Sequence, residues 1–263
     1  MTLDAEELSS RLAGTRWRRI EVVDATGSTN ADLVARAAVE PVDGTVRVTT
    51  DQTAGRGRHA RTWTAPRGTQ LAMSAAVEVG DHTEYLGWLS LLAGLAAVQG
   101  IDEALAVRPA LKWPNDVLVD GKKVAGILSE YTRSPHTSRG EGGIAIIGTG
   151  LNTTMTVDQL PVPTATSLQL ATGRDIPLTE LAASYLRALS DLLDLWPHDV
   201  RGLAARYRED SDTIGRRVRL VLPGDDEVVG TATGVDASGR IVVDVDGRQV
   251  IAAAGDVTHL RPV

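Results

Sequence analysis

Only three of the 27 basic residues in this chain are lysines, and Lys112, Lys122 and Lys123 all fall within one twelve-residue stretch. Everywhere else the chain uses arginine. A compact ammonium on a flexible stem acts as a movable point charge against carboxylate or phosphate oxygens, which a planar guanidinium does not imitate. A bias towards arginine codons combined with chance would leave the same pattern. Lys112 opens the run Lys112-Trp113-Pro114-Asn115-Asp116. A cation, an amide and a carboxylate at a strand interruption could position a phosphate chain and its metal ion. Lys122 and Lys123 follow a tight turn, and on a strand only one of two neighbours can face a site on the sheet. Strict alternation puts Val124 with Gly126 and Leu128, and Lys123 with Ala125 and Ile127; a solvated turn pair is the plainer reading.

Three further segments carry polar chemistry. Gly55-Arg56-Gly57-Arg58-His59-Ala60-Arg61, just before Trp63, combines glycines that admit a ligand to the backbone with arginines that fork onto anionic oxygens. Trp63 could stack on a base. The alternatives are a solvated basic loop or a nucleic-acid contact. Gly148-Thr149-Gly150-Leu151-Asn152 closes an apolar run and ends on an amide that both donates and accepts, although a plain turn explains it too. Gly27-Ser28-Thr29-Asn30 suits a helix cap, and the same hydroxyls and N–H groups would hold a neutral polar ligand.

Other chemistries are excluded. The chain has no cysteine, which removes disulfides, thiolate catalysis and Cys-ligated metals. Its five histidines are scattered without metal-ligand spacing. There is no Gly-x-Ser-x-Gly elbow, and no Rossmann or P-loop glycine pattern. A net charge of −7, from 34 acids against 27 bases, disfavours a dedicated nucleic-acid binder.

Elements must position these segments. A chain of 263 residues is one large domain, or one domain with a small appendage. Periodicity predicts helices over Leu3 to Ala13, Asn30 to Val39, Glu84 to Gln99, Leu178 to Trp196 and Val200 to Arg208. Strands are predicted over Arg18 to Val23, Thr45 to Thr50, Gln70 to Val79, Leu111 to Trp113, Asp116 to Val119, Lys123 to Tyr131 and Gly143 to Leu151. Asp51 to Gly68 is a long loop of the kind that is usually functional. Ser134 to Gly142 reads as a polar loop, and Asp120-Gly121 is the strongest hairpin signal. From Ile214 onwards short strands alternate with turns, at Pro223-Gly224-Asp225, Ala237-Ser238-Gly239 and Asp246-Gly247, as in a small β-barrel. The class is α+β with a mixed sheet, divided into residues 1–213 and 214–263. The apolar run Leu86 to Val98 is shorter than the ~20 residues of a membrane span, and the first residues lack a secretory pattern. A soluble, cytoplasmic protein is expected.

Taken in order, Gly27-Ser28-Thr29-Asn30, Gln52-Thr53-Ala54-Gly55-Arg56-Gly57-Arg58, Lys112-Trp113-Pro114-Asn115-Asp116, Lys123-Val124-Ala125-Gly126-Ile127-Leu128 and Gly148-Thr149-Gly150-Leu151-Asn152 resemble the biotin protein ligase family. The resemblance spans roughly residues 18 to 263. It implies a catalytic domain of the biotin/lipoate ligase type followed by an SH3-like β-barrel. It further implies condensation of biotin with ATP, as its Mg²⁺ complex, to biotinyl-5′-adenylate, then transfer to a lysine of a biotin carboxyl carrier domain. Carried over by position, Ser28, Thr29, Asn30, Gln52, Gly55, Arg56, Lys123, Gly126 and Leu128 would border biotin. Arg56, Arg58, Arg61, Trp63, Lys112, Asn115 and Asn152 would serve the nucleotide. Lys123, Arg58 and Asp116 would be catalytic, with Lys123 neutralising carboxylate and phosphate and Asp116 assisting the incoming lysine. Magnesium ligands are not assigned.

Some family members carry a helix-turn-helix domain before the core. Here the Ser-Thr-Asn motif falls within thirty residues of the start, so DNA binding is not expected. Either a monomer or a homodimer fits. The rival readings are a lipoate-type ligase or acyl transferase, a nucleic-acid-binding protein and a non-catalytic interaction module.

Overall fold

The structure, a computed structural model, describes residues 3–80, 82–222, 226–253 and 255–260. Small residues make its centre. In β5 (Gln70–Glu78) every residue from Gln70 to Val77 is buried, because alanines and Ser74 allow helices to pack on both faces. Around it the seven-stranded sheet runs β1 (Arg19–Val22), β2 (Thr45–Thr49), β5, β9 (Gly140–Asn152), β8 (Lys122–Thr137), β7 (Asp116–Val119) and β6 (Ala110–Lys112). Only β1 and β2 pair in parallel, so the sheet is mixed and the α+β expectation holds.

One face carries α3 (Gly87–Leu105) and α5 (Leu178–Leu195), with α1 (Ala5–Arg11) beside α5. Helix α3 runs past Gln99, further than periodicity suggested. It is long and apolar enough by composition to cross a membrane, but it is largely buried between the sheet and α5. The other face carries α2 (Thr29–Ala37), whose Leu33 and Ala37 pack on Ala76, Ile144 and Ile146. Burying Leu33 contributes about 2 kcal/mol. Helix α2 starts at Ser28, whose hydroxyl accepts from the Ala31 N–H. Two shorter helices, α4 (Leu168–Thr172) and α6 (Val200–Asp210), complete the helical layer.

The Asp120-Gly121 turn forms as predicted: both residues have positive φ, the geometry that matches the twist of the flanking strands. The Ser134 to Gly142 loop does not. There β8 continues to Thr137 and β9 begins at Gly140. The polar residues that read as loop find tertiary partners. Ser134 Oγ donates to the Ala37 carbonyl, and Ser138 donates through N and Oγ to the Glu78 carboxylate.

The terminal strands β10 (Arg217–Val221), β11 (Glu227–Val235), β12 (Ile241–Val245), β13 (Arg248–Ala252) and β14 (Asp256–His259) form one antiparallel sheet of the SH3-like kind. The Pro223-Gly224-Asp225 turn lies outside the described residues. This sheet shares the main core through Val218, Leu220, Ile241 and Val243. It is also tied by the Trp88 indole to the Ala237 carbonyl at 2.9 Å and by the Trp113 indole to the Gly239 carbonyl at 3.3 Å.

Candidate active site

The segments singled out by residue type converge on a cavity of about 350 Å³. Its floor is a set of neutral hydrogen-bonding groups. Gln52 Oε1 accepts from the Thr29 N–H at 2.8 Å and lies 3.1 Å from Thr29 Oγ1. Thr29 Oγ1 lies 2.6 Å from Ser74 Oγ, which donates to Asn30 Oδ1 at 2.5 Å. Asn30 Nδ2 donates to the Leu128 carbonyl and to Glu130. Buried polar groups so fully paired keep fixed orientations, which is what discrimination of a neutral polar ligand requires.

Glycine makes room for this floor. A Cβ at Gly148 would overlap the Asn30 side-chain oxygen. Gly126 and Gly150 face each other across β8 and β9, and a Cβ on either would come to 3.0 or 2.8 Å from the Trp63 ring. Trp63 lies in the two-residue strand β4 (Thr62–Trp63), which pairs with β3 (Gly55–Arg56) to make the loop over the cavity a small hairpin. Its indole N–H donates to Gln70 Oε1 at 3.0 Å.

Cations ring the opening: Arg56, Arg58 and Arg61 from the hairpin, Lys112 from β6 and Lys123 from β8 all line the cavity. Lys123 Nζ sits 2.5 Å from Asp116 Oδ1 and 5.9 Å from the Trp63 ring. Strict alternation would have grouped Lys123 with Ala125 and Ile127, and the structure corrects it. The register of β7 on β8 shifts at Val124, so Val117 faces Ala125 while Leu118 faces Lys123. Val124 and Ala125 are both buried in the core, and Lys123 emerges on the face of Gly126 and Leu128.

Behind the wall, Thr149 bonds the Tyr185 hydroxyl of α5 at 2.7 Å. Burial pushes the Tyr185 phenol well up, so it stays a neutral partner. Asn115 Nδ2 donates to the Ile127 carbonyl at 2.9 Å, which aims its Oδ1 at Arg58. On the far side Val257 and Thr258 of β14 complete the lining. The adjoining His259 bonds Thr213, whose Oγ1 also accepts from the Trp113 N–H at 3.0 Å. A cavity with a neutral polar floor and a ring of cations suits a ligand that is uncharged at one end and anionic at the other.

Two family models match the chain: the Biotin/lipoate A/B protein ligase family over residues 22–152, and the Biotin protein ligase C terminal domain over 213–260. Among curated relatives, the biotin–[acetyl-CoA-carboxylase] ligase of Mycobacterium tuberculosis is 45% identical, over 98% of this chain and 96% of its own. The chain belongs to the biotin protein ligase family. The bifunctional ligase/repressor BirA of Escherichia coli is 30% identical, covering 93% of this chain and 74% of that protein. Of solved structures, the biotin protein ligase of Aquifex aeolicus in complex with biotin and ATP shares the fold, with TM-score 0.77 at 24% identity over 93% of this chain and all of its own. The Leishmania major biotin protein ligase in complex with biotinyl-5-AMP superposes with TM-score 0.61 at 26% identity, over 93% of this chain and 99% of that one.

Of the residues that the sequence assigned to a biotin protein ligase site, Ser28, Thr29, Asn30, Gln52, Arg56, Arg58, Arg61, Trp63, Lys112, Asn115, Asp116, Lys123, Gly126 and Leu128 line this one cavity. Gly55 and Asn152 do not. Gly55 belongs to strand β3 of the hairpin and lines the neighbouring crevice instead; a Cβ there would meet the Trp63 carbonyl of the paired strand at 2.5 Å. Asn152 is buried at the end of β9 and gives its Nδ2 to the Thr166 carbonyl at 3.0 Å. Sequence reading missed Ser74, Gln70 and Glu130, and it quoted Thr149 within a segment without giving it a role. Ser74 and Gln70 sit in a strand that reads simply as half-buried, and their polarity was the available signal.

Proposed function

We propose that this cavity activates biotin with ATP as biotinyl-5′-adenylate and then delivers the biotinyl group to a lysine of a biotin carboxyl carrier domain. A biotin carboxylate oxygen bonds to the α-phosphorus and pyrophosphate leaves. The carrier amine then attacks the acyl carbon, AMP leaves, and the amine loses a proton. The observation that carries the reading is a neutral hydrogen-bonded floor ending at a lysine–carboxylate pair under a ring of arginines.

Each group has a role in that scheme. Ser28, Thr29, Asn30 and Gln52 take the ureido end of biotin, and Gly126 and Leu128 border its ring. Lys123 offsets the repulsion between carboxylate and phosphate, a pre-placed charge that needs no reorganisation as the transition state forms. Arg56, Arg58, Arg61, Lys112, Asn115 and Trp63 serve the nucleotide, and the hairpin shields a reactive mixed anhydride from water. Asp116, once Lys123 turns to the phosphate, is free to accept the proton of the incoming amine. Magnesium arrives with ATP as part of the substrate. No trio of His, Asp or Glu able to hold a metal occurs among the described residues, and magnesium commonly rests on phosphates plus a carboxylate or two. The division at 213/214, with a catalytic part and an SH3-like part, and a cytoplasmic setting belong to the same reading.

Acid-quenched mass spectrometry of the protein with ATP, Mg²⁺ and biotin or lipoate, without carrier, tests it. Biotinyl-adenylate with biotin alone is the expected result. Lipoyl-adenylate would overturn the substrate, and neither product from folded protein would overturn the reaction.

A further inference from the structure

The hydrogen-bond chain of the pocket floor does not end at the cavity. It leads from Gln52 through Thr29, Ser74 and Asn30 to Glu130, whose Oε2 accepts from Asn30 Nδ2 at 2.8 Å. The same oxygen accepts from Arg56 Nη2 of the hairpin at 3.0 Å. Glu130 lies outside the cavity lining, two residues beyond Leu128 on the same face of β8, in the crevice between that strand and the hairpin. Asn30 is fixed at both ends of its amide: its oxygen receives Ser74, and its nitrogen serves Leu128 and Glu130. It sits against Gly148, where a Cβ would take the place of its oxygen. A floor held that firmly gives the hairpin a fixed point to fasten to.

We propose that Glu130 is a positioning residue that fastens the hairpin, through Arg56, to the floor residues Asn30 and Thr29, so that the lid over the cavity and the biotin-recognising groups hold their shapes together. The half of this that concerns biotin rests on the function proposed above. A carboxylate suits the task. It accepts from an amide and a guanidinium at once, and the guanidinium bond is charge-assisted. An incoming phosphate offers Arg56 rival anionic oxygens, whereas the Asn30 amide carries no net charge and is not drawn off by them. The contact therefore steadies the empty lid and can yield to the nucleotide without disturbing the floor.

Hydrogen–deuterium exchange of the ligand-free protein, with biotin affinity by calorimetry, separates the parts. In Glu130→Gln the side-chain oxygen still accepts from Asn30 but the ion pair is gone. Amides of residues 55–63 should exchange about tenfold faster while biotin affinity stays within about twofold. In Glu130→Ala both bonds are lost, so the lid should exchange as fast and biotin should bind about tenfold more weakly. Unchanged lid exchange in both variants would overturn the proposal. So would a rise spread equally over Leu178–Leu195 of α5, which would make Glu130 a contributor to general stability. Because the lid is read without biotin or ATP, failure of the protein to make an adenylate would remove the proposed function and leave this result standing.

Discussion

Lys123 Nζ lies 2.5 Å from Asp116 Oδ1, and the two reach each other because Val124 is an extra residue in the β7–β8 ladder. Without that bulge the ammonium would turn towards α3, on the side where Ile127 packs near Gly94 and Leu111. Bulges recur beside active sites because they re-aim one side chain while the strands keep pairing. The lysine is a third exposed, so its removal should spare the fold.

Lys123→Ala should therefore lower adenylate formation by orders of magnitude, about 10²-fold or more, with a melting temperature close to that of the parent. Lys123→Arg should not restore it, because the planar fork cannot serve carboxylate and phosphate from the same position. Single-turnover mass spectrometry of biotinyl-adenylate reads both, and near-normal turnover in the alanine variant would remove Lys123 from its role.

Gly148 is the place where backbone and ligand floor meet most closely. Gly148→Ala must displace Asn30, since the added methyl takes the position of its side-chain oxygen. Overpacking of this kind costs about 1–3 kcal/mol, and the loss should fall on biotin binding more than on turnover of bound biotin. Calorimetric biotin affinity equal to wild type would show that the floor tolerates the shift.

Arg58 acts across the opening. Its guanidinium lies 3.3 Å from Asn115 Oδ1 and 3.5 Å from the Gly255 carbonyl, joining the hairpin to the wall and to the residue just before β14. Arg58→Gly should loosen this closure and release adenylate to solution. Adenylate recovered in the filtrate after rapid ultrafiltration should rise about tenfold, and an unchanged fraction would count against a closing hairpin.

The seam between the two sheets should respond to acid. Burial holds the His259 imidazole below its ordinary value of 6.5; the neighbouring Asp212 opposes that shift and Lys112 and Arg216 reinforce it. The folded form thus binds the proton less readily than the unfolded chain. Its contribution is intact above pH 6.5 and is lost as pH falls through the depressed value. Thermal melts should show stability dropping below pH 6.5, less steeply in His259→Gln, which has no group that titrates there. Parallel pH profiles in the two proteins would deny His259 this part.

Much of the site is legible in the sequence. The clustered lysines, the glycine–arginine loop and the Asp120-Gly121 turn are local signals, written in residues whose conformational preferences act over a few positions. For the same reason the segment of Ser28 and Thr29 reads as a helix cap, a part that Ser28 takes, and alternation places β5. What the sequence could not give depended on partners far along the chain. Arg56 and Glu130 are 74 positions apart, and Asn30 and Glu130 are 100 apart, so no window on the sequence contains either pair. The polar stretch after Ser134 reads as loop because composition counts polar groups but not the partners that tertiary packing supplies. The phase of Lys123 was misread because alternation assumes a regular ladder, and only the pairing of β7 on β8 reveals the residue that breaks it. Residue types and short spacings determined which groups this protein brings to its chemistry. The tertiary structure decided which way those groups face, because facing is a property of paired strands and buried contacts rather than of any single segment.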